Sequence, residues 1–257
     1  MESETVLITG ASSGIGLELA KLFATDKSNL VLVARSQDKL EKLADELRKT
    51  HGVEVVVVVA DLSDPAAPKA IYDQLDATGI TIDVLVNNAG FGILGPLADS
   101  KVDEQMGMVQ VNMAALTHLS HLFLPGMVER KRGGILNVGS VAGFLPGPNM
   151  AVYYATKAYV LHFSEGLAEE VRDKGVTVTC LTPGPTETSF GQVSGMDKTS
   201  LFQKNVMGVE AVAKAGHRGF RKGKVIVTPG IRNKMTPLFI RLGPRWLVRK
   251  IAKGLQS

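Results

Sequence analysis

Hydrophobic residues along this chain fall into two alternating patterns. Short runs rich in β-branched residues recur between longer segments in which apolar residues are spaced three and four apart. The short runs are typical of buried strands, and the longer spacing is typical of helices with one buried face. The runs predict these strands: Thr5–Thr9, Asn29–Ala34, Val53–Ala60, Val84–Asn87, Gly134–Val138, Val176–Leu181 and Lys224–Val227.

The segments between the strands predict helices. In Gln37–Lys49 the spacing is clear, because the apolar residues form a single stripe of Leu40, Leu43, Ala44 and Leu47. The other predicted helices are Gly14–Thr25, Pro65–Thr78, Lys101–Arg130, Tyr153–Lys174 and Val209–Arg221. Strict alternation of strands and helices predicts an α/β fold, a doubly wound parallel sheet of about seven strands with helices on both faces.

Nothing in the sequence pattern predicts a second domain. Proline and glycine clusters stop at single turns, and neither an internal repeat nor a linker-like stretch interrupts the alternation. We therefore interpret residues 1–257 as a single domain. It carries a lid-like segment at 186–205 and a basic amphipathic segment at 232–257.

Composition is that of an ordinary globular protein, with 45% hydrophobic and 21% charged residues. No apolar run approaches the roughly 18 residues of a membrane span. The N-terminus enters a strand by Thr5 without a basic start or a cleavage site, so no signal peptide is predicted. Cys180 is the single cysteine, which excludes an internal disulfide and suits a reducing compartment. We predict a cytoplasmic protein in which Cys180 is a packing residue.

The net charge of +4 conceals an asymmetry between the two ends of the chain. Glu210 is the last acidic residue. Residues 211–257 hold 12 Lys and Arg, which leaves 17 cations against 25 anions in residues 1–210. Such a split indicates an anionic partner or surface.

A glycine-rich turn follows the first predicted strand and begins the first predicted helix. Its candidate binding residues are Gly10, Ser12, Ser13, Gly14, Ile15 and Gly16. Glycines let the backbone approach a pyrophosphate, whose charge is stabilised by the N-terminus of the helix. In this context the motif predicts a dinucleotide site, and the alternative is an ordinary strand-to-helix turn.

The end of the second strand favours one dinucleotide over the other. Arg35 lies 19 residues beyond Gly16, where an acidic residue would hold the adenosine ribose of NAD. An arginine suits a 2′-phosphate instead, so this position predicts NADP(H) as the cofactor. The alternative is a solvated surface arginine.

Three further residues predict the chemistry. Tyr153 and Lys157 are four apart, so they share one face of the helix predicted there. A free tyrosine has a pKa of about 10, and a lysine ammonium on the same face would favour the phenolate and ease proton transfer. Ser140 can hold a carbonyl oxygen beside that hydroxyl. Together with a dinucleotide site, these residues predict a hydride-transfer enzyme.

These motifs make the chain resemble the short-chain dehydrogenase/reductase family over nearly its full length. The resemblance is carried by Thr9–Gly16, Asp61-Leu62, Asn87–Gly90, Asn112, Ser140, Tyr153 with Lys157, and Pro183-Gly184 leading to Thr188. It implies a Rossmann-type domain that binds the dinucleotide and catalyses the reaction. In it, Asp61 and Leu62 contact adenine, and Thr188 holds the nicotinamide carboxamide. It further implies that the cofactor is lined by Asn88, Ala89, Gly90, Pro183 and Gly184.

The resemblance also implies a mechanism. Hydride passes between the nicotinamide and the substrate carbon while Tyr153 gives the carbonyl oxygen a proton. Ser140 would bond that oxygen, Lys157 would lower the pKa of the tyrosine and bind the nicotinamide ribose, and Asn112 would hold a proton-relaying water. Simpler roles remain open, since Asn112 could bond backbone in a helix and Ser140 could cap a turn. Tyr154 is also within helical reach of Lys157, but the family spacing favours Tyr153.

Segments expected to wall the site are apolar or small: Gly92–Gly95, Gly143–Pro146, Phe190 and Met196. Such a pocket suits an apolar ketone or aldehyde, so we predict an NADPH-dependent carbonyl reductase or, in reverse, an alcohol dehydrogenase. The alternatives are a 3-ketoacyl-thioester reductase, a steroid-type hydroxy dehydrogenase, an NADP-sensing regulator without turnover, and a membrane-attached scaffold.

Other partners are predicted from what surrounds the candidate residues. We find no further candidate metal ligands to accompany His118, His121 and His162. We interpret these histidines as helix residues and expect no metal. We expect no nucleic-acid partner. The family resemblance implies a homo-oligomer, either a dimer or a tetramer.

The C-terminal segment predicts a basic amphipathic helix over Arg245–Leu255. Its apolar stripe consists of Leu247, Val248, Ile251, Ala252 and Leu255, and its cations are Arg245, Arg249, Lys250 and Lys253. One interpretation is a closing helix that packs on the lid or on a neighbouring subunit, with Pro237–Ile240 walling the pocket mouth. The other is weak, peripheral contact with an anionic membrane, which needs this combination of stripe and cations.

Overall fold

The computed structural model describes residues 3–198 and 206–255, and its centre is one parallel sheet. The strands are β1 (Thr5–Thr9), β2 (Asn29–Ala34), β3 (Val55–Val59), β4 (Val84–Asn87), β5 (Gly133–Val138), β6 (Val176–Leu181) and β7 (Ile226–Val227). They lie in the order β3-β2-β1-β4-β5-β6-β7, and every pairing is parallel. The order reverses between β1 and β4, where α/β folds bind their ligands.

Helices cover both faces of this sheet. They are α1 (Gly14–Thr25), α2 (Gln37–His51), α3 (Ala67–Ala77), α4 (Val102–Val109), α5 (Leu116–Glu129), α6 (Ala151–Glu170), α7 (Phe190–Ser194), α8 (Val209–Arg221), α9 (Ile231–Leu242) and α10 (Arg245–Leu255). The predicted fold class, a doubly wound Rossmann-type sheet with seven parallel strands, is confirmed. Within the described ranges, no helix combines the length and the apolar character that a membrane crossing needs.

Alternation along the strands divides the core into two layers. In β1, Val6 and Ile8 pack with α1, α2 and α8, whereas Leu7 points to the opposite face and packs with α3, α5 and α6. Successive strand residues face opposite sides of a sheet, so a strand buried on both faces is apolar throughout. This is why an unbroken apolar run, rather than an alternating one, marks these strands in the sequence.

Most element boundaries agree with the sequence prediction, and the differences lie at ends. The predicted strands Val53–Ala60 and Lys224–Val227 are shorter in the structure, at Val55–Val59 and Ile226–Val227. The predicted helix Tyr153–Lys174 begins earlier, at Ala151, and ends at Glu170. Backbone hydrogen bonds still join Glu54 and Ala60 to β2 and Val225 to β6. Differences of one or two residues at an element's end are therefore of the size that assignment of the ends itself produces.

The predicted helix Lys101–Arg130 is interrupted. A π-helical segment, Gln110–Ala115, joins α4 to α5. Such segments insert extra backbone into a helical turn and are frequent at functional sites. Helix α9 was not predicted, because Pro237 lies inside it and a proline normally argues against a helix interior. The lid-like segment 186–205 is described only to residue 198; residues 199–205 lie outside the described residues.

Candidate active site

The loops at the carboxyl ends of the strands enclose a cavity of about 870 Å³. Of the residues predicted to bind cofactor or substrate, most line it: Gly10, Ser12, Ser13, Gly14, Ile15, Arg35, Asp61, Leu62, Asn88, Ala89, Gly90, Ser140, Tyr153, Lys157, Pro183, Gly184 and Thr188. The other two, Gly16 and Asn112, lie behind its wall. The fold thus brings together residues that are up to 178 positions apart in the chain.

The glycine turn is clamped to the loop that follows β4. The Asn88 side-chain amide donates to the carbonyl oxygens of Thr9 and Gly10, at 2.9 and 3.2 Å. The Thr9 hydroxyl in turn accepts from the backbone N–H groups of Asn88 and Ala89, both at 3.0 Å. A Cβ at Gly16 would collide with the Asn88 amide and the Gly10 carbonyl, so Gly16 is needed for this close packing.

Two glycines of this turn have left-handed backbone conformations. Gly10 and Gly14 have φ angles of +66° and +59°, which side chains other than glycine rarely adopt. Thr188 lies over Gly14, since a Cβ there would be 3.2 Å from the Thr188 methyl group. The turn therefore leaves a backbone surface at the N-terminus of α1 that fits a pyrophosphate.

Arg35 and Asp61 face each other at another part of the cavity wall. The Arg35 guanidinium is 3.8 Å from an Asp61 carboxylate oxygen, and its side chain is 77% exposed. A backbone hydrogen bond from Ser63, with a smaller contribution from Arg35, holds the pKa of Asp61 below its usual value. Ser36 and Lys39, which follow Arg35 at the start of α2, also line the cavity and were missed by sequence reasoning. The sequence signal that could have identified them is a pair of polar side chains within four residues of an arginine at the end of a strand.

Tyr153 lies at the closed part of the cavity and is only 7% exposed. Burial raises the pKa of its phenol, and a hydrogen bond with Ser140 opposes that effect without cancelling it. Ser140 also accepts from the Ala142 N–H at 3.1 Å and donates to the Pro183 carbonyl at 3.4 Å. Ser140 therefore does cap a turn, Val141–Phe144, and it contacts the phenol as well.

Lys157 is buried beside Tyr153. Its ammonium donates to the Val138 carbonyl at 2.9 Å and lies 5.9 Å from the centre of the Tyr153 ring. Burial lowers the pKa of Lys157 to about 8. The sequence expectation was a lowered pKa for the tyrosine, whereas in this structure burial raises it and Lys157 is not among the groups that shift it.

Asn112 joins the π-helical segment to two other parts of the site. Its side-chain oxygen accepts from the Phe91 N–H at 3.1 Å, and its amide donates to the Phe91 carbonyl at 2.9 Å and to the Thr156 hydroxyl at 3.1 Å. A Cβ at Gly90 would be 3.0 Å from the Asn112 oxygen and 3.5 Å from the Lys157 ammonium. Asn112 therefore bonds backbone groups, as the simpler alternative predicted, but these groups belong to the neighbouring loop at Phe91 and not to its own helix. Its role with a water stays a prediction.

The remaining wall of the cavity combines apolar side chains with a few polar ones, among them the carboxylates Asp103 and Glu104 of α4. It includes Phe91, Leu145, Tyr154, Phe190, Val193 and Met196. The predicted wall segments Gly92–Gly95 and Gly143–Pro146 contribute Ile93, Leu94 and Leu145 to the same cluster. Tyr154 packs edge-on against Tyr153, with ring centres 5.9 Å apart. Helix α9 adds Asn233 and Thr236, which sequence reasoning missed because that helix was not predicted.

Cys180, His118 and His121 are not among the residues that line this cavity. Cys180 is buried, and burial raises the pKa of its thiol to about 11. His118 and His121 lie in a separate surface depression with Tyr159. Over residues 3–198 and 206–255, no cluster of three metal-ligand side chains is found.

Comparisons with known proteins identify relatives of this chain. The family model for short chain dehydrogenase matches residues 4–199. A very-long-chain 3-oxoacyl-CoA reductase from Anas platyrhynchos is 37% identical over 197 residues, or 73% of this chain, and the match spans 61% of the relative's own length.

Two solved structures share the fold and about a third of the sequence. A short-chain dehydrogenase from Sphingobium yanoikuyae in complex with NADPH is 35% identical, with a TM-score of 0.84 over 97% of this chain and 93% of the other. A bulky-bulky ketone specific alcohol dehydrogenase from Comamonas testosteroni is 31% identical, with a TM-score of 0.80 over 98% of this chain and 93% of the other.

Proposed function

The chain belongs to the short-chain dehydrogenase family, and we propose that it is an NADPH-dependent reductase of apolar ketones or aldehydes. The observation that carries the proposal is the meeting of Ser140, Tyr153 and Lys157 in one cavity with the clamped glycine turn. The positive-φ glycines fit a pyrophosphate, and bound there a nicotinamide cofactor would supply the hydride.

The chain's own residues supply the proton. In reduction, the carbonyl oxygen would lie between the hydroxyl groups of Ser140 and Tyr153, and Tyr153 would donate its proton as hydride reaches the carbon. Burial raises the pKa of the phenol, so Tyr153 would begin the reduction in its protonated form. Lys157 would then help to return a proton to the phenol and would hold the nicotinamide ribose, with Asn112 holding a relaying water beside it.

The preference for NADPH rests on the residues around Arg35. An exposed guanidinium, with Ser36 and Lys39 on the same wall, suits the charge of a 2′-phosphate. The Asp61 carboxylate lies 3.8 Å from the same guanidinium and, together with Leu62, would contact the adenine rather than the phosphate. Titration of the purified protein with NADPH and NADH, followed by fluorescence, tests the preference directly.

The substrate class follows from the apolar wall. Phe91, Leu145, Phe190 and Met196 provide few hydrogen bonds for a sugar or an anion, so an apolar carbonyl compound fits best. A 3-ketoacyl thioester is the second candidate, supported by the identity with the reductase from Anas platyrhynchos. A steroid-type ketone is a third. NADPH oxidation measured against ketones, aldehydes, acetoacetyl thioesters and steroids distinguishes them, and absence of turnover with all would favour a cofactor-sensing regulator.

Self-association is proposed through the surface of α4 and α5. Val102 and Met106 are 70% and 58% exposed, and Val109 and Met113 continue the same helical row into the depression beside Tyr159. An exposed row of large apolar side chains marks a contact surface, and the partner proposed for it is a second copy of this chain. Sedimentation of the wild type against Met106→Glu tests whether a dimer or tetramer forms there.

A cytoplasmic location with peripheral contact to anionic membranes is also proposed. In α10, Ala252 is buried and Val248 half-buried, so this edge of the predicted stripe packs on the protein. Trp246, Leu247 and Ile251 are exposed among the cations of the helix, and these support the membrane contact. Flotation with anionic vesicles tests it.

A further inference from the structure

Helix α9 has one face in the cavity. Asn233 and Thr236 line the wall, and Asn233 lies so close to Gly184 that a Cβ there would collide with its amide. The Asn233 amide also donates to the Pro229 carbonyl at 2.8 Å, which fixes the first turn of the helix. The inner face of α9 is therefore part of the site described above.

The outer face of α9 is apolar and lies in water. Ile231, Met235, Leu238 and Phe239 are 80%, 42%, 49% and 69% exposed. Their spacing of four, three and one places them on a single helical face. Of the thirteen large hydrophobic residues exposed in the described part of the chain, seven lie between residues 231 and 251, so the apolar surface is concentrated here.

Cations lie on both sides of this apolar face. Arg232 and Lys234 flank it on α9, and the next helix, α10, carries the exposed Arg249, Lys250 and Lys253. No acidic residue follows Glu210 in the sequence. An apolar stripe bordered by cations matches the acyl boundary and the anionic headgroups of a bilayer.

A second copy of this chain would fit the same surface poorly. In a symmetric pair each surface meets its own equivalent, so the cations of one copy would face those of the other. Like charges brought together in this way oppose association. The charge therefore favours a lipid surface over self-pairing at α9.

We propose that the outer face of α9 docks the protein on an anionic bilayer with the mouth of the cavity at the lipid surface, so that membrane-dissolved carbonyl substrates enter along this helix. The proposal rests on the reductase function proposed above and names where its substrate comes from. It differs from a contact through α10 alone, because α9 is both the apolar docking face and a wall of the site.

The test compares one ketone in the membrane with another in water. Wild type, Leu238→Asn/Phe239→Asn and Leu238→Met/Phe239→Leu are assayed for NADPH oxidation with tridecanone in phosphatidylglycerol–phosphatidylcholine vesicles and with cyclohexanone in buffer. We expect the Asn pair to bind vesicles at least about tenfold more weakly in flotation, and to lose a similar factor in kcat/KM for tridecanone. Its kcat/KM for cyclohexanone stays unchanged, because Leu238 and Phe239 lie on the outer face of α9 and are not among the residues that line the cavity. The Met/Leu pair behaves as wild type.

A second pair of variants guards against misfolding of the first. Lys234→Gln/Lys250→Gln leaves the apolar face intact, and we expect about tenfold weaker flotation at low salt with unchanged turnover of cyclohexanone. Equal flotation and equal tridecanone turnover in wild type and both polar pairs would overturn the proposal. So would a change in sedimentation without a change in flotation, which would assign α9 to contact between copies. Since flotation needs no substrate, failure of the reductase function would appear separately, as absent turnover of both ketones.

Discussion

Replacing Tyr153 by phenylalanine isolates the proton-transfer step from everything else that the residue does. The ring of Tyr153 packs against Tyr154 and Phe190, with centres 5.9 and 5.4 Å away, and a phenylalanine keeps both contacts. The lost hydroxyl leaves Ser140 with partners, because Ser140 still bonds Ala142 and Pro183. Tyr153→Phe should therefore fold normally and bind NADPH with an almost unchanged Kd.

The expected loss lies in kcat. A positioned general acid contributes about 100- to 10,000-fold, which corresponds to roughly 3–5 kcal/mol of transition-state stabilisation. Because Tyr153 is only 7% exposed, water is poorly placed to donate in its stead, and the upper part of that range is expected. Ser140 is an unsuitable substitute, because an aliphatic hydroxyl is a much weaker acid than a phenol.

The assay is steady-state oxidation of NADPH with a reducible ketone, together with NADPH binding followed by fluorescence. Tyr154→Phe is the matched control, because Tyr154 is equally buried, lines the same cavity and should retain most of the activity. Retention of more than about a tenth of kcat by Tyr153→Phe would refute its role as proton donor. A large loss in Tyr154→Phe alone would move the assignment by one residue.

Three further predictions concern the cofactor, the pH dependence and the stability. Arg35→Asp should weaken NADPH binding at least tenfold, because a carboxylate repels the 2′-phosphate, and should leave NADH binding equal or better. Equal losses of affinity in the NADPH and NADH titrations would show that Arg35 does not bind the 2′-phosphate. Because Lys157 is needed in its charged form, kcat/KM for reduction should fall as pH rises through about 8. In Lys157→Arg the residual activity should not show this fall. The same pH profile in wild type and variant would contradict the assignment of the fall to Lys157. Arg221→Met should lower the free energy of unfolding in urea by about 1 kcal/mol, since Arg221 bonds both Glu4 and Asp26. The control is Lys214→Met, which removes an exposed 3.8 Å ion pair with Glu210 and should change the free energy of unfolding by less than about 0.5 kcal/mol.

The fold was predictable because its strands are buried on both faces. Runs such as Asn29–Ala34 and Val176–Leu181 carry the same residues in the sequence and in the sheet, with identical boundaries. The interruption at Gln110–Ala115 was not predictable, since its residues suit an ordinary helix and the π-helical geometry depends on the contacts of Asn112 with Phe91 and Thr156. Helix α9 was missed for the opposite reason, because Pro237 is a local signal against helix that packing of the inner face overrides.

The candidate site was predictable as a set of residues and less so as an arrangement. Gly16 and Asn112 were predicted as site residues from motif spacing, but neither lines the cavity. Gly16 allows close packing against Gly10 and Asn88. Asn112 donates to the backbone carbonyl of Phe91. Ser36, Lys39, Asn233 and Thr236 reach the cavity from elements whose position relative to the site only the fold determines. The local sequence pattern predicts which residues share one face of a helix or strand, but it does not predict which of these faces pack against each other.

The pKa values of Tyr153 and Lys157 show where that limit matters for mechanism. Spacing of four correctly predicts that the two side chains lie on one face of α6, and a charge on that face would favour the phenolate. Burial acts on both groups at once, and it raises the pKa of the phenol while lowering that of the ammonium. Each group is thereby moved toward its neutral form, so the phenol holds its proton and the lysine can release one near pH 8. Reduction of a carbonyl would therefore begin from a protonated phenol, and Lys157 is the neighbouring group that could return the proton that Tyr153 gives up.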